Sequence, residues 1–343
     1  MAYTDIDKPS DYFNTVLYTG NGASTHAITG VGFRPDWNWH KIRNDTDWHM
    51  VNDSVRGANY AIYPNATNAE GNVPTGLKSF DSDGFTVGNL NDSNQNNGNF
   101  VSWNWKAGGS ASSNSNGTIT SSVSANTDAG FSIGTYNGSG SDNTVGHGLG
   151  VAPDMIIVKC KSTAHDWVVY HSALGNAKIL TLNATTAAQS ATGWQSTSPT
   201  STVFSIDNAA NSLNQSGQSF VFYAMASKKG YSKFGSYTGN GNADGTFTYT
   251  GFKPAFVMVK STGGESNWQM SDNKRNTFNE VNKHLRANSS GAEFTNYPID
   301  FLSNGFKLRA TDTDTNGSGT TYIFMAFAEE SFVSSSGVPA TAR

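Results

Sequence analysis

The chain writes one stretch three times, and this triplication constrains its fold more than any other feature of the 343 residues. The copies are "GFRPDWNWHKIRNDTDW" at 32–48, "GVAPDMIIVKCKSTAHDW" at 150–167 and "GFKPAFVMVKSTGGESNW" at 251–268. Each gives a turn, an apolar run, a lysine, a polar loop and a tryptophan. A fixed internal period marks one folding unit copied along the chain, and reading the sequence without it misassigns the whole architecture.

Seven landmarks keep this register. An aromatic and glycine-rich turn opens each copy: "YTGNG" at 18–22, "YNGSG" at 136–140 and "YTGNG" at 237–241. Next come Pro35, Pro153 and Pro254, then Lys41, Lys159 and Lys260, then Trp48, Trp167 and Trp268, then Asn65, Asn183 and Asn288. Two strands follow: "GFTVG", "VFSID" and "GFKLR", and the closing "FVSWNWKA", "FVFYAMAS" and "YIFMAFAE". The first two copies are offset by 118–120 residues and the last two by 101–102. Asn288 is the exception, lying 105 residues beyond Asn183, which places an insertion of about four residues between Trp268 and Asn288. The longer first offset reflects residues 107–130, whose Gly/Ser/Asn/Thr composition is that of a linker; "GTITSSVSA" inside it alternates enough to add an edge strand.

Within a copy the apolar residues alternate, which is the period of strands. Only 14% of residues are charged while 36 are Gly, usage that favours short strands and many turns over helices. The expected fold is all-β, as three tandem β-sandwich, jelly-roll-like repeats. The expected division is 1–107 for the first repeat with an N-terminal arm, 108–130 for the linker, 131–230 for the second repeat, and 231–343 for the third with a tail. The linker predicts a loosely tethered first copy. Trp37 and Trp39 alternate with Asn38 and His40, and Trp103 and Trp105 with Asn104 and Lys106, so the first copy reads as having one wet sheet face. The later copies carry Ile156, Val158, Ala224 and Ala226, or Val257, Val259, Ala326 and Ala328, on that face. This predicts a second covered face, against another copy, another subunit, or a local helix or loop. The one helical period lies in 275–290.

Little in the chain points to catalysis. A net charge of -4 without a basic cluster gives no footprint for nucleic acid or an anionic membrane surface. No apolar run reaches the ~18–20 residues of a spanning helix, and "MAYTDIDKPSDYF" lacks the pattern of a signal peptide. The single cysteine, Cys160, leaves no internal disulfide and reads as a small strand residue. The seven histidines, at 26, 40, 49, 147, 165, 171 and 284, recur in no register and read as solvated or capping groups. His165 and His171 on one strand would lie too far apart to share a metal. Asp312, Asp314, Asn316 and Gly317 start an EF-hand pattern, but Ile323 stands where its glutamate belongs, so a polar hairpin loop is expected. The sequons at Asn65, Asn183 and Asn288 read as Asx turns. No catalytic, cofactor-binding or metal-ligating residue is assigned, and the chain is expected to be no enzyme and to need no cofactor. Carbohydrate binding is the stronger functional variant, with Trp48, Trp167 and Trp268 as the stacking candidates; ligand-binding residues are otherwise unassigned.

The segments "DSVRG" (53–57), "DGFTVG" (83–88), "FVSWNWKAGG" (100–109), "SSVSANTDAGFSI" (121–133) and "HGLGVAPDMIIVKCKS" (147–162), with the opening "DKPSDYFNTVLYTGNG" (7–22), resemble a repeat family of structural and tail fibre-like proteins of tailed bacteriophages, especially those of marine bacteria. The resemblance implies a virion protein assembled in the host cytoplasm, with other phage virion proteins as partners, a homo-oligomer, and host-surface polysaccharide as a ligand. It implies a tail fibre or external appendage or, alternatively, a capsid or vertex decoration protein with a reinforcing role; a polysaccharide depolymerase is the remaining alternative. It carries over no catalytic residue.

Overall fold

Strands with bulky side chains at every second position pair into a core-facing antiparallel sheet in each copy. In the computed structural model, which describes residues 4–208 and 210–341, the first sheet runs Phe13–Thr19, Asn99–Trp105, Trp37–Ile42, Met50–Asp53. The second runs Phe131–Asn137, Ser219–Met225, Met155–Cys160, Val168–His171. The third runs Ser232–Thr238, Thr321–Ser331, Phe252–Ser261, Gln269–Asp272. The order is the same each time. The closing strand lies between the opening strand and the strand that carries Lys41, Lys159 or Lys260.

One face of all three sheets meets in a single hydrophobic core. Trp37, Trp39, Trp103 and Trp105 bring it from the first copy, Ile157, Tyr223 and Met225 from the second, Phe256, Met325 and Phe327 from the third, all essentially inaccessible to solvent. Rings touch across copies: Trp37 lies 4.6 Å from Tyr223, Phe13 5.1 Å from Phe327, and Trp103 5.8 Å from Phe256. Aromatic pairs at such spacings add to the burial they already provide. The first copy is therefore not loosely tethered. Part of the expected linker is sheet, since Ser112–Asn114 and Ser121–Asn126 extend the second sheet beyond Phe131–Asn137.

Three equivalent seams close the ring. The amide of His165 donates to the Thr67 carbonyl and that of Glu70 to Lys161, both 3.0 Å or shorter. The same pair recurs as Ser266 to Thr185 with Ala188 to Thr262, and as Asp47 to Ser290 with Glu293 to Arg43. Copy two thus leans on one, three on two, and one on three. The N-terminal arm ties the first copy to both others: the amide of Asp5 donates to the Lys229 carbonyl at the end of the second, and the Ser331 hydroxyl of the third to the Ile6 carbonyl at 2.9 Å.

The other face of each sheet is covered from within its own copy, completing a sandwich. In the second, Ile156, Val158, Ala224 and Ala226 pack with Trp194, Phe204 and Ile206; in the third, Val257, Val259, Ala326 and Ala328 pack with Phe301, Phe306 and Leu308. The cover is strands and loops, not a neighbouring copy. The first copy corrects the expectation of a wet face, for Asn38, His40, Ser102 and Asn104 are fully buried. They survive burial because they satisfy one another. Asn38 Nδ2 donates to Ser102 Oγ and Asn104 Oδ1, both at 2.8 Å, and the His40 ring bonds Asn38 Oδ1 at 2.7 Å and Ser93 Oγ at 3.0 Å. The helical period in 275–290 also fails: Val281–Arg286 is a strand, paired to Gln269–Asp272 on one side and to Phe294–Leu302 on the other.

Candidate functional site: the seam loops

The repeated glycine-rich turn holds a short loop in place before each closing strand. Tyr18, Tyr136 and Tyr237 donate their hydroxyls to the carbonyls of Ser93, Leu213 and Thr315 at 2.7, 2.6 and 2.6 Å. The side chains of Asn94, Asn214 and Asn316 accept the amides of Asn21, Ser139 and Asn240. A Cβ on Gly20, Gly138 or Gly239 would stand 2.2, 2.4 or 2.4 Å from a carbonyl oxygen, so only glycine fits there. These bonds also fix the residue equivalences between copies.

Beneath each seam lies a buried lysine. Lys159 Nζ donates to the carbonyls of Thr67, in the preceding copy, and His165; Lys260 Nζ to Thr185, again in the preceding copy, and Ser261; Lys41 Nζ to Ile42 and Asp45. Burial pushes all three ammonium groups down to about 8. Beside them, Asn65, Asn183 and Asn288 accept the amides of His49, Trp167 and Trp268. The structural counterpart of Trp167 and Trp268 is therefore His49, and the sequence register at Trp48 is one residue off. Trp167 and Trp268 are buried seam plugs rather than stacking platforms. Their indole N–H groups donate into the copy before, to Tyr63 and Ala66 and to Thr181.

Deeper in the seams the polar groups follow the same symmetry. Asp53 binds Arg56 at 2.5 Å and accepts the Tyr223 hydroxyl at 2.7 Å, and Arg56 reaches Glu70 at 2.9 Å. Asp272 binds Arg275 at 2.5 Å and accepts the Trp103 N–H at 3.1 Å, and Arg275 reaches Glu293 at 3.4 Å. At the seam between copies two and three the same positions hold His171, Leu174 and Ala188.

Beside each lysine lies a hollow framed by equivalent positions. In the first copy Trp48 and Tyr63 occupy it, ring centroids 4.7 Å apart. Trp48 is the one candidate tryptophan that is exposed, at 37%. Asp92 hydrogen-bonds Asp47 there, and burial first, then that carboxylate, push its carboxyl up to about 8. In the third copy Arg286 lies over the Phe294 ring at 4.4 Å, and Asp314 accepts from Asn267 and Gln269. In the second the counterparts of Trp48, Tyr63 and Phe294 are Asp166, Thr181 and Gln189, and a cavity of about 350 Å³ remains.

The remaining sequence candidates are structural. His40, His49, His147, His171 and His284 are buried rather than solvated, and His165 precedes the strand Val168–His171, bonding Gln215 at 2.7 Å. Cys160 is buried, 3.3 Å from the Thr163 hydroxyl. In the EF-hand-like stretch Asp312 caps Thr315, and Asp314 is engaged with its seam partners. Among the described residues no three His, Cys, Asp or Glu gather to hold a metal ion, and no helix is long and apolar enough to cross a membrane.

Residues 8–331 match the profile of a family described as a domain of unknown function (DUF7483), and the chain belongs to that family. No curated protein matches it. A single profile spans all three copies, in keeping with their common core.

Proposed function

We propose that this member of the DUF7483 family is a non-enzymatic structural protein of a tailed-phage virion, part of a tail fibre or other external appendage, with a host-surface carbohydrate-binding role. The observation that carries this reading is the threefold repetition of one sandwich around one core. The first two copies and the stretch between them bear the motifs that resemble phage structural proteins, and the cyclic seams repeat three equivalent loop sets. Such a module is stiff, and it presents weak sites together, so that modest single affinities combine by avidity. The partners are other virion proteins and further copies of the chain.

A second reading, a capsid or vertex decoration protein, is favoured by one observation: the copies close into a ring instead of running on as a string. Labelled antibody on purified virions separates the two. Signal on the tail or its appendages is expected, and signal confined to the shell transfers the assignment to decoration. The purified protein is also expected to block adsorption; absence of competition at saturating dose removes the binding role.

A further inference from the structure

We propose that the hollow of the second copy is a binding site for a neutral pyranose ring. The inference rests on the carbohydrate-binding part of the reading above and adds where the sugar sits. Pseudo-symmetry carries it. The same place is filled by the chain's own flat groups in the other two copies, by Trp48 against Tyr63 and by Arg286 over Phe294. In the second copy all three plugging positions carry short or polar side chains, Asp166, Thr181 and Gln189, and these line the open cavity. What is absent is a ring, and a ring-shaped ligand restores the packing.

The lining sets the chemistry. Val168, Ile179 and Leu213 contribute apolar surface on which the C–H face of a pyranose can rest. Asp166, Thr181 and Gln189 supply acceptors and donors for hydroxyl groups; one Asp166 oxygen already accepts from Asn183 at 2.8 Å. Among the described residues the one ionisable lining group is the Asp166 carboxylate, which favours a neutral polyhydroxyl ligand over an anionic one. About 350 Å³ is at the small end for ligand sites, which run from roughly 300 to 1,000 Å³, so the pocket takes one or two sugar units rather than a long chain.

The test uses the full chain and ligand-observed NMR with the methyl glycosides of glucose, galactose, mannose and N-acetylglucosamine. T181Y returns the ring of the first copy to the hollow, and Q189A removes a hydrogen-bonding arm without filling it. At least one glycoside is expected to bind the native protein, with affinity falling about tenfold or more in T181Y and several-fold in Q189A. Melting curves check folding, and should T181Y fail to fold, Q189A decides alone. Binding that neither folded variant alters, or no binding by any glycoside, overturns the pocket. Retention of bacterial lipopolysaccharide on immobilised native and variant protein then separates the two claims. Equal retention by both leaves carbohydrate binding standing and removes this site, whereas no retention and no glycoside binding removes both.

Discussion

Asp53, His171 and Asp272 hold one position in three sheets, and what each faces decides which residue can stand there. The neighbouring copy's closing strand offers Tyr223 to Asp53 and Trp103 to Asp272, each with a donor. Met325, at the matching place in the third closing strand, has none. His171 instead uses the backbone: Nε2 meets the Phe324 carbonyl at 3.2 Å, and Nδ1 accepts the Ala173 amide at 3.2 Å. A carboxylate there would be buried unpaired, so H171D is expected to destabilise by about 3–5 kcal/mol, read from urea unfolding. R56M, which strips Asp53 of its partner, is expected to fall in the same range. The histidines also set an acid limit. Burial holds His40 and His284 down to about 3 and His171 to about 4, against 6.5 in the unfolded chain. Because the unfolded state binds more protons below 6.5, their contribution is complete above that pH and is lost progressively toward 3–4. Asp92, raised to about 8, runs the other way, its contribution fading as pH rises from about 4 to 8. Burial also lowers His49 and His147 and raises Asp312. Five histidines against two carboxyls make a falling melting temperature the expected result between pH 7 and pH 4, with a shallower slope in H171N; a flat profile would refute this balance.

At the scale of the element, the glycine-rich turn shows what a sequence can and cannot disclose. Its register was legible because only glycine can pass a carbonyl at 2.2–2.4 Å, a demand written into the sequence as an invariant letter in three copies. G138A is therefore expected to lose about 1–3 kcal/mol by forcing that contact apart. G150A, at positive φ with open space around it, is expected to lose only about 1 kcal/mol. Denaturant midpoints that fall in the reverse order would sink the argument. The same reasoning explains the misreadings. Asn38, His40 and Asn104 looked wet because polarity signals exposure only when no partner is near, and their partners, Ser102 and Ser93, become neighbours only once the sheet and its loop have formed. Trp48 looked like the mate of Trp167 because letters align more readily than backbone amides, yet the amide that meets Asn65 belongs to His49. All-β character and the unit length lay in local alternation. The hollow of the second copy was not legible, since it exists through what Asp166, Thr181 and Gln189 fail to fill.

For the molecule as a whole, the decisive quantity is how much of each copy's core belongs to the others. The second copy contributes Ile133, Met155, Ile157, Val221, Tyr223 and Met225 to the shared centre. At about 1.5–3 kcal/mol for each side chain left uncovered, cutting residues 131–230 free forfeits on the order of 10 kcal/mol. That equals the roughly 5–15 kcal/mol by which whole domains are stable. The fragment also loses the bonds of Lys159 to Thr67 and of Trp167 to Tyr63 and Ala66, keeping for Lys159 the His165 carbonyl and leaving the freed donors to water. Its outer layer keeps Phe204, Phe222 and Trp194 but loses Val123 with the paired strand Ser121–Asn126, so partial collapse without fixed packing is the expected state. Near-UV circular dichroism and amide dispersion of the 131–230 fragment should therefore be weak, while the full chain should melt in one calorimetric transition whose enthalpy matches the van't Hoff value. Three separable transitions, or a well-dispersed spectrum from the fragment, would mean that the copies are independent beads and that the ring owes nothing to its centre.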